Sequence, residues 1–83
     1  MINVYVVLGD LASGSAYVVG VYSTKKFAQE AAREEIWYAF RVWGGDIEDN
    51  LETEDYIRLV DRGECLAVME IQEHVLKDKE DMV

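Results

Sequence analysis

The chain has 83 residues, with 17 Asp and Glu against 8 Lys and Arg, a formal net charge of -9. That field repels nucleic acid and anionic membranes and attracts basic protein surfaces. One domain is all that this length supports, and a hydrophobic fraction of 51% excludes an intrinsically disordered chain.

Cys65 is the only cysteine, so an intrachain disulfide and a thiol-only metal cage are both excluded. A lone thiol suits a reducing compartment. The opening MINVYVVLGD lacks the basic segment of a secretory leader, and no stretch approaches the roughly 20 apolar residues that cross a bilayer. The expected setting is cytoplasmic.

Ile2 to Leu8 is β-branched and reads as a strand, with Ile2, Val4, Val6 and Leu8 on one face and Asn3, Tyr5 and Val7 on the other. Both faces are largely apolar, which predicts a central or doubly covered strand rather than an exposed edge. Gly9 to Ser15 supplies turn chemistry, and Ala16 to Tyr22 returns as a second, antiparallel strand.

Ser23 or Thr24 can cap a helix. Beyond it Phe27, Ala28, Ala31, Ala32, Ile36, Ala39, Phe40 and Trp43 recur at three- and four-residue spacing, predicting one apolar stripe that faces the sheet. Gly44-Gly45 ends the helix. Its second half is apolar almost all round, because Trp37, Tyr38 and Val42 lie beside or opposite the stripe. One helix on one small sheet cannot easily bury them all. They are either extra core or an interaction patch, since aromatic residues concentrate binding energy at interfaces.

Asp46 to Asp55, DIEDNLETED, carries six carboxylates and no base, and reads as a solvated acidic loop. As a calcium loop starting at Asp46 it offers Glu48 and Asn50 at positions 3 and 5. Leu51 and Ile57 then stand where the glycine and the bidentate acid belong. No metal or other cofactor is expected.

Tyr56 to Asp61 reads as a strand, with a short helix as the competing possibility. Asp61-Arg62-Gly63 suits a hairpin with glycine in a bulge position. Glu64 to about Glu73 follows as a strand in which Cys65, Ala67, Met69 and Ile71 alternate with Leu66, Val68, Glu70 and Gln72. The tail from 77 to 83 is charged and expected to fray. The expected fold is therefore α+β over residues 1–76: an antiparallel sheet of three or four strands with one long helix on a face, in the order β-β-α-β-β.

Catalytic patterns are weak. Cys65 and His74 are nine residues apart on one predicted strand, which points them to opposite faces if no bulge intervenes, and Cys65 reads most simply as a small core residue. GDLASG after the first strand lacks the Lys-Ser/Thr of a phosphate loop. The chain is expected not to be an enzyme.

Val4 to Leu8 and Tyr17 to Ala32, VYVVL and YVVGVYSTKKFAQEAA, resemble small uncharacterised phage and bacterial domains in which a β-hairpin steps into an amphipathic helix. The resemblance implies a phage-associated setting and carries no catalytic residues. The function expected is that of a small acidic binding protein. It would inhibit a host nucleic-acid-binding machine in an anti-CRISPR-like or DNA-mimic mode, using carboxylates in place of phosphates. The residues that would meet a basic partner are Trp37, Tyr38, Asp46, Glu48, Asp49, Glu52, Glu54 and Asp55. The competing expectation is a homodimer in which the aromatic patch is the interface and the acids confer solubility. Direct nucleic-acid binding is disfavoured, because Lys25, Lys26, Arg33 and Arg41 are scattered along one acid-bearing helix.

Overall fold

The computed structural model describes residues 2–76; the predicted tail at 77–83 lies outside them. Strand β1 (Ile2–Leu11) and strand β2 (Ala16–Tyr22) form a hairpin, followed by helix α1 (Lys25–Trp43). Strands β3 (Asp46–Asn50), β4 (Tyr56–Asp61) and β5 (Glu64–Leu76) complete a single sheet in the spatial order β2-β1-β5-β4-β3. Every neighbouring pair is antiparallel.

The predicted three or four strands in β-β-α-β-β order are thus corrected to five strands in β-β-α-β-β-β order. The extra strand is the first half of the acidic run. Asp46, Glu48 and Asn50 point one way along β3 and Ile47 and Asp49 the other, so a segment of extreme charge still alternates as a strand requires. Leu51, just past its end, is completely buried. Those two apolar residues anchor a segment that composition alone marks as a loop.

The helix leaves one sheet edge, β2, and delivers the chain to the other, β3. Thr24 caps it: its Oγ1 accepts the Phe27 N–H at 3.1 Å. Gly44 closes it with φ 71°, its N–H donating to the Phe40 carbonyl at 2.7 Å. Gly45 follows at φ 100°, and a Cβ there would lie 2.8 Å from the Val60 carbonyl oxygen. Only glycine fits both the left-handed backbone and that close approach.

The core lies between helix and sheet. Ala28, Ala32, Ile36 and Ala39 meet Val7, Ile57, Leu59, Ala67, Met69, Ile71 and Leu51. Every buried strand residue in that set is odd-numbered, the period of two that places alternate side chains on one face. Three alanines let the helix sit close over the larger sheet residues. Phe27 and Trp43, predicted in the stripe, are instead about half exposed because they lie at the two ends of the helix, beyond the strands that would cover them.

Strand β1 is central, between β2 and β5, as its two apolar faces predict, while the helix covers one sheet face only, so β1 is not the doubly covered strand that was the other possibility. On the open face stand Ile2, Val4, Val6 and Leu8 of β1. The β4–β5 turn is a two-residue one, with Arg62 at φ 53° and Gly63 at φ 82°, rather than the bulged hairpin predicted. A bulge does occur in β5, where Val60 pairs with Cys65 and Leu59 with Ala67. The extra residue, Leu66, packs against the core while Cys65 is exposed, so Cys65 is not the core residue its type suggested.

Candidate protein-binding surface

The C-terminal half of α1 carries the most exposed aromatic surface of the described residues. Trp37, Tyr38, Val42 and Trp43 are each at least half exposed. Tyr38 is the ridge between two concavities. One, of about 400 Å³, lies on the outer helix surface between Arg33, Glu34, Trp37, Tyr38 and Arg41. The other, of about 220 Å³, runs under the helix toward β1 and β2, floored by Leu11, Tyr17 and Met69 and walled by Tyr38, Val42 and Trp43. A third hollow continues past Trp43 to Leu11, Ala12 and Leu66.

Local packing holds these side chains in place. Trp37 packs edge-on against Phe40, with ring centroids 5.4 Å apart. The Tyr17 hydroxyl donates to Glu35 Oε2 at 3.3 Å and bridges β2 to the helix. Partial burial raises the Tyr17 phenol above its ordinary value, and the neighbouring Glu35 charge adds to the rise. The groove is apolar, with charges of both signs at its rim.

The acidic run is arranged differently from the sequence expectation. Glu48 pairs with Arg58 at 2.6 Å on the open face of the sheet, where the Arg58 guanidinium also lies 5.6 Å from the Tyr56 ring centroid. Asp49 points to the helix side and pairs with Arg33 at 2.8 Å. Its second oxygen accepts the Leu51 N–H at 3.1 Å. Asp55, held at φ 61°, pairs with Lys25 at 2.8 Å. Asp46, Glu52 and Glu54 are exposed.

Half of the run is therefore matched to a base, and its acids point in more than one direction. Desolvation pushes Asp49 upward, but the Arg33 hydrogen bond and charge and the Leu51 N–H outweigh it and leave the carboxyl below its ordinary value. Glu48 raises Arg58, and Asp55 raises Lys25, through their hydrogen bonds and opposite charges.

The eight residues expected to act together separate accordingly. Trp37 and Tyr38 share the helix surface. Glu48 lies on the opposite side of the sheet, and Asp55 joins Lys25 at the far end of the helix, roughly 18 Å from Trp37 along its axis. The residues nearest the aromatics are Arg33, Glu34, Glu35 and Arg41. Sequence reasoning missed Leu11 and Leu66 as parts of this surface. Only the hairpin and the β5 bulge bring them beneath Trp43, and no local pattern signals that.

The β5 bulge puts Cys65, opposite Val60, and His74, opposite Val4, on the same open face rather than on opposite ones. They stand at opposite ends of β5, however, roughly 30 Å apart at strand rise. Among the described residues no group of three His, Cys, Asp or Glu side chains converges closely enough to hold a metal ion. Among them, too, no helix is long and apolar enough to cross a membrane.

No curated protein and no solved structure matches the chain. A family model, described as a domain of unknown function, matches residues 2–72, which takes in both sheet edges, the helix and most of β5. The chain belongs to that family, DUF7336.

Proposed function

We propose that the domain is a non-enzymatic protein-binding module that anchors a partner through the aromatic end of α1. The observation that carries this reading is the exposure of Trp37, Tyr38, Val42 and Trp43 around contiguous hollows on one end of one helix. Large rigid side chains beside preformed hollows are the usual anchors of protein interfaces. The net charge of -9 then selects partners with a basic surround and speeds their encounter.

In the phage-associated setting that the hairpin–helix resemblance implies, the partner is a host nucleic-acid-binding machine, and the domain inhibits it by occupying its surface. Aromatic anchoring has better support than phosphate mimicry. A mimic needs carboxylates displayed along one face, whereas Glu48, Asp49 and Asp55 point apart and are each held by a base.

The test is a comparative pull-down from a bacterial lysate with the wild-type chain and a Tyr38→Ser/Trp43→Ser variant, followed by titration of the purified, identified partner. The reading expects a nucleic-acid-binding protein retained by the wild type, lost from a folded variant, and bound more weakly as salt rises. Equal retention by the variant sinks it, and so does loss only when the acids Glu52 and Glu54 are neutralised.

A further inference from the structure

The two hollows that flank Tyr38 differ in the charge they present. The outer one is lined by Arg33, Glu34 and Arg41, and Arg33 is already matched to Asp49, so its charges are nearly balanced. The inner one, of about 220 Å³, has Glu35 as its only charged lining residue, beside three aromatic side chains, Tyr17, Tyr38 and Trp43. Glu35 takes part in none of the ion pairs among the described residues. Its Oε2 accepts the Tyr17 hydroxyl at 3.3 Å, which leaves the other lone pairs of the carboxylate for a cation. The Tyr17 ring is itself held down as the floor. A Cβ on Gly9 would meet it at 2.7 Å, so the glycine lets the ring lie against β1.

Resting on the reading of this end of α1 as a binding surface, we propose that the inner hollow is an arginine cage. A guanidinium brought by the partner lies among Tyr17, Tyr38 and Trp43 and pairs with Glu35. Aromatic faces carry negative charge and attract cations, the more so as the cation loses water. Leu11 and Met69 supply an apolar floor that keeps water from beneath it. Arginine suits the hollow better than lysine, because its planar, weakly hydrated guanidinium stacks on rings while its N–H groups pair with a carboxylate.

The same chemistry is already satisfied within the chain on the open face of the sheet. There Arg58 lies 5.6 Å from the Tyr56 ring centroid and pairs with Glu48 at 2.6 Å. Glu35 with its three rings is that set without the base. A purely apolar anchor, such as leucine, would cover Glu35 and strip its water without returning a counter-charge, which is costly. The net charge of -9 also raises the concentration of cationic groups around the hollow.

The test is titration of the chain with N-acetyl-arginine amide, and with N-acetyl-citrulline amide as its uncharged counterpart, read by amide and indole N–H shifts. Expected is saturable, millimolar binding of the arginine probe that moves the Trp43 indole and the Ala39 and Val42 amides. Citrulline should bind at least about threefold more weakly, and so should the arginine probe to Glu35→Gln, the size of an exposed cation–π or ion-pair contribution. Glutamine still accepts the Tyr17 hydroxyl, so Glu35→Gln should melt like the wild type. Glu34→Gln, in the outer hollow, should bind the probe unchanged. Equal binding of citrulline overturns the cage, as does wild-type affinity in Glu35→Gln, a response confined to Trp37, or no saturable response at all. In the partner pull-down, Glu35→Gln should weaken retention. Full retention by Glu35→Gln with loss from Tyr38→Ser/Trp43→Ser refutes the cage and leaves helix-mediated binding standing. Full retention by both variants removes the binding surface as well.

Discussion

Asp49 on β3 and Arg33 on α1 meet at 2.8 Å, and this pair joins the acidic edge strand to the helix. The same carboxylate accepts the Leu51 N–H, which fixes the turn that sends Leu51 into the core. A residue that looked like one of six interchangeable surface acids thus has a structural task.

That task makes acid sensitivity predictable. Asp49 titrates below its ordinary value in the folded chain, so its contribution is complete above the unfolded carboxyl pKa of about 3.9 and fades as pH falls through the lower, folded value. Asp49→Asn should lower the melting temperature at neutral pH, and the gap to the wild type should shrink in strong acid. Thermal melts of both proteins across pH 2–7 check this, with the approximate window set by those values. A gap independent of pH removes the assignment.

Leu51 and Trp37 should behave in opposite ways. Leu51 is completely buried, so Leu51→Ala should cost about 3 kcal/mol through lost burial and the cavity left behind. Trp37 is half exposed, and Trp37→Ala should cost about 1 kcal/mol or less, mostly its contact with Phe40. Urea denaturation of the two variants reads the difference directly.

Gly45 is the least substitutable of the glycines between elements. Gly45→Ala combines an unfavourable φ of 100° with a Cβ 2.8 Å from the Val60 carbonyl, and should cost more than about 1 kcal/mol. Gly44→Ala, also at positive φ but with open space around it, should cost less. Equilibrium unfolding of the pair separates steric clash from backbone strain.

The acids of β3 also guard a sheet edge. A bare edge strand offers unpaired backbone groups to other chains, and charged side chains discourage that pairing. Asp46→Val together with Glu48→Val should therefore promote irreversible, concentration-dependent aggregation with little change in the initial fold. Light scattering over time follows it. Stable solutions at high concentration would mean that the edge is protected by something other than charge.

Much of the architecture is legible locally. The hydroxyl of Thr24, the alanine-rich stripe and the paired glycines at 44 and 45 define the helix by short-range chemistry. Alternation in Ile2–Leu11 and Glu64–Leu76 defines the long central strands in the same way. Failures fall where a contact distant in sequence decides. Composition made Asp46–Asn50 a loop, but pairing with Tyr56–Val60 makes it a strand. Residue type made Cys65 core, but the register shift opposite Leu59 and Val60 turns it outward.

The sequence by itself determined a single acidic α+β domain with one capped amphipathic helix, because caps, periodicity and net charge act over a few residues or over the whole chain at once. It also marked Trp37 and Tyr38 as surplus to one helix face. Only the tertiary structure decided that the carboxylates are dispersed and partly neutralised, that Trp43 overhangs a groove, and that one sheet face is left uncovered. Those outcomes depend on strand order and on which edges the helix connects, and such long-range pairing leaves no periodic trace in the chain.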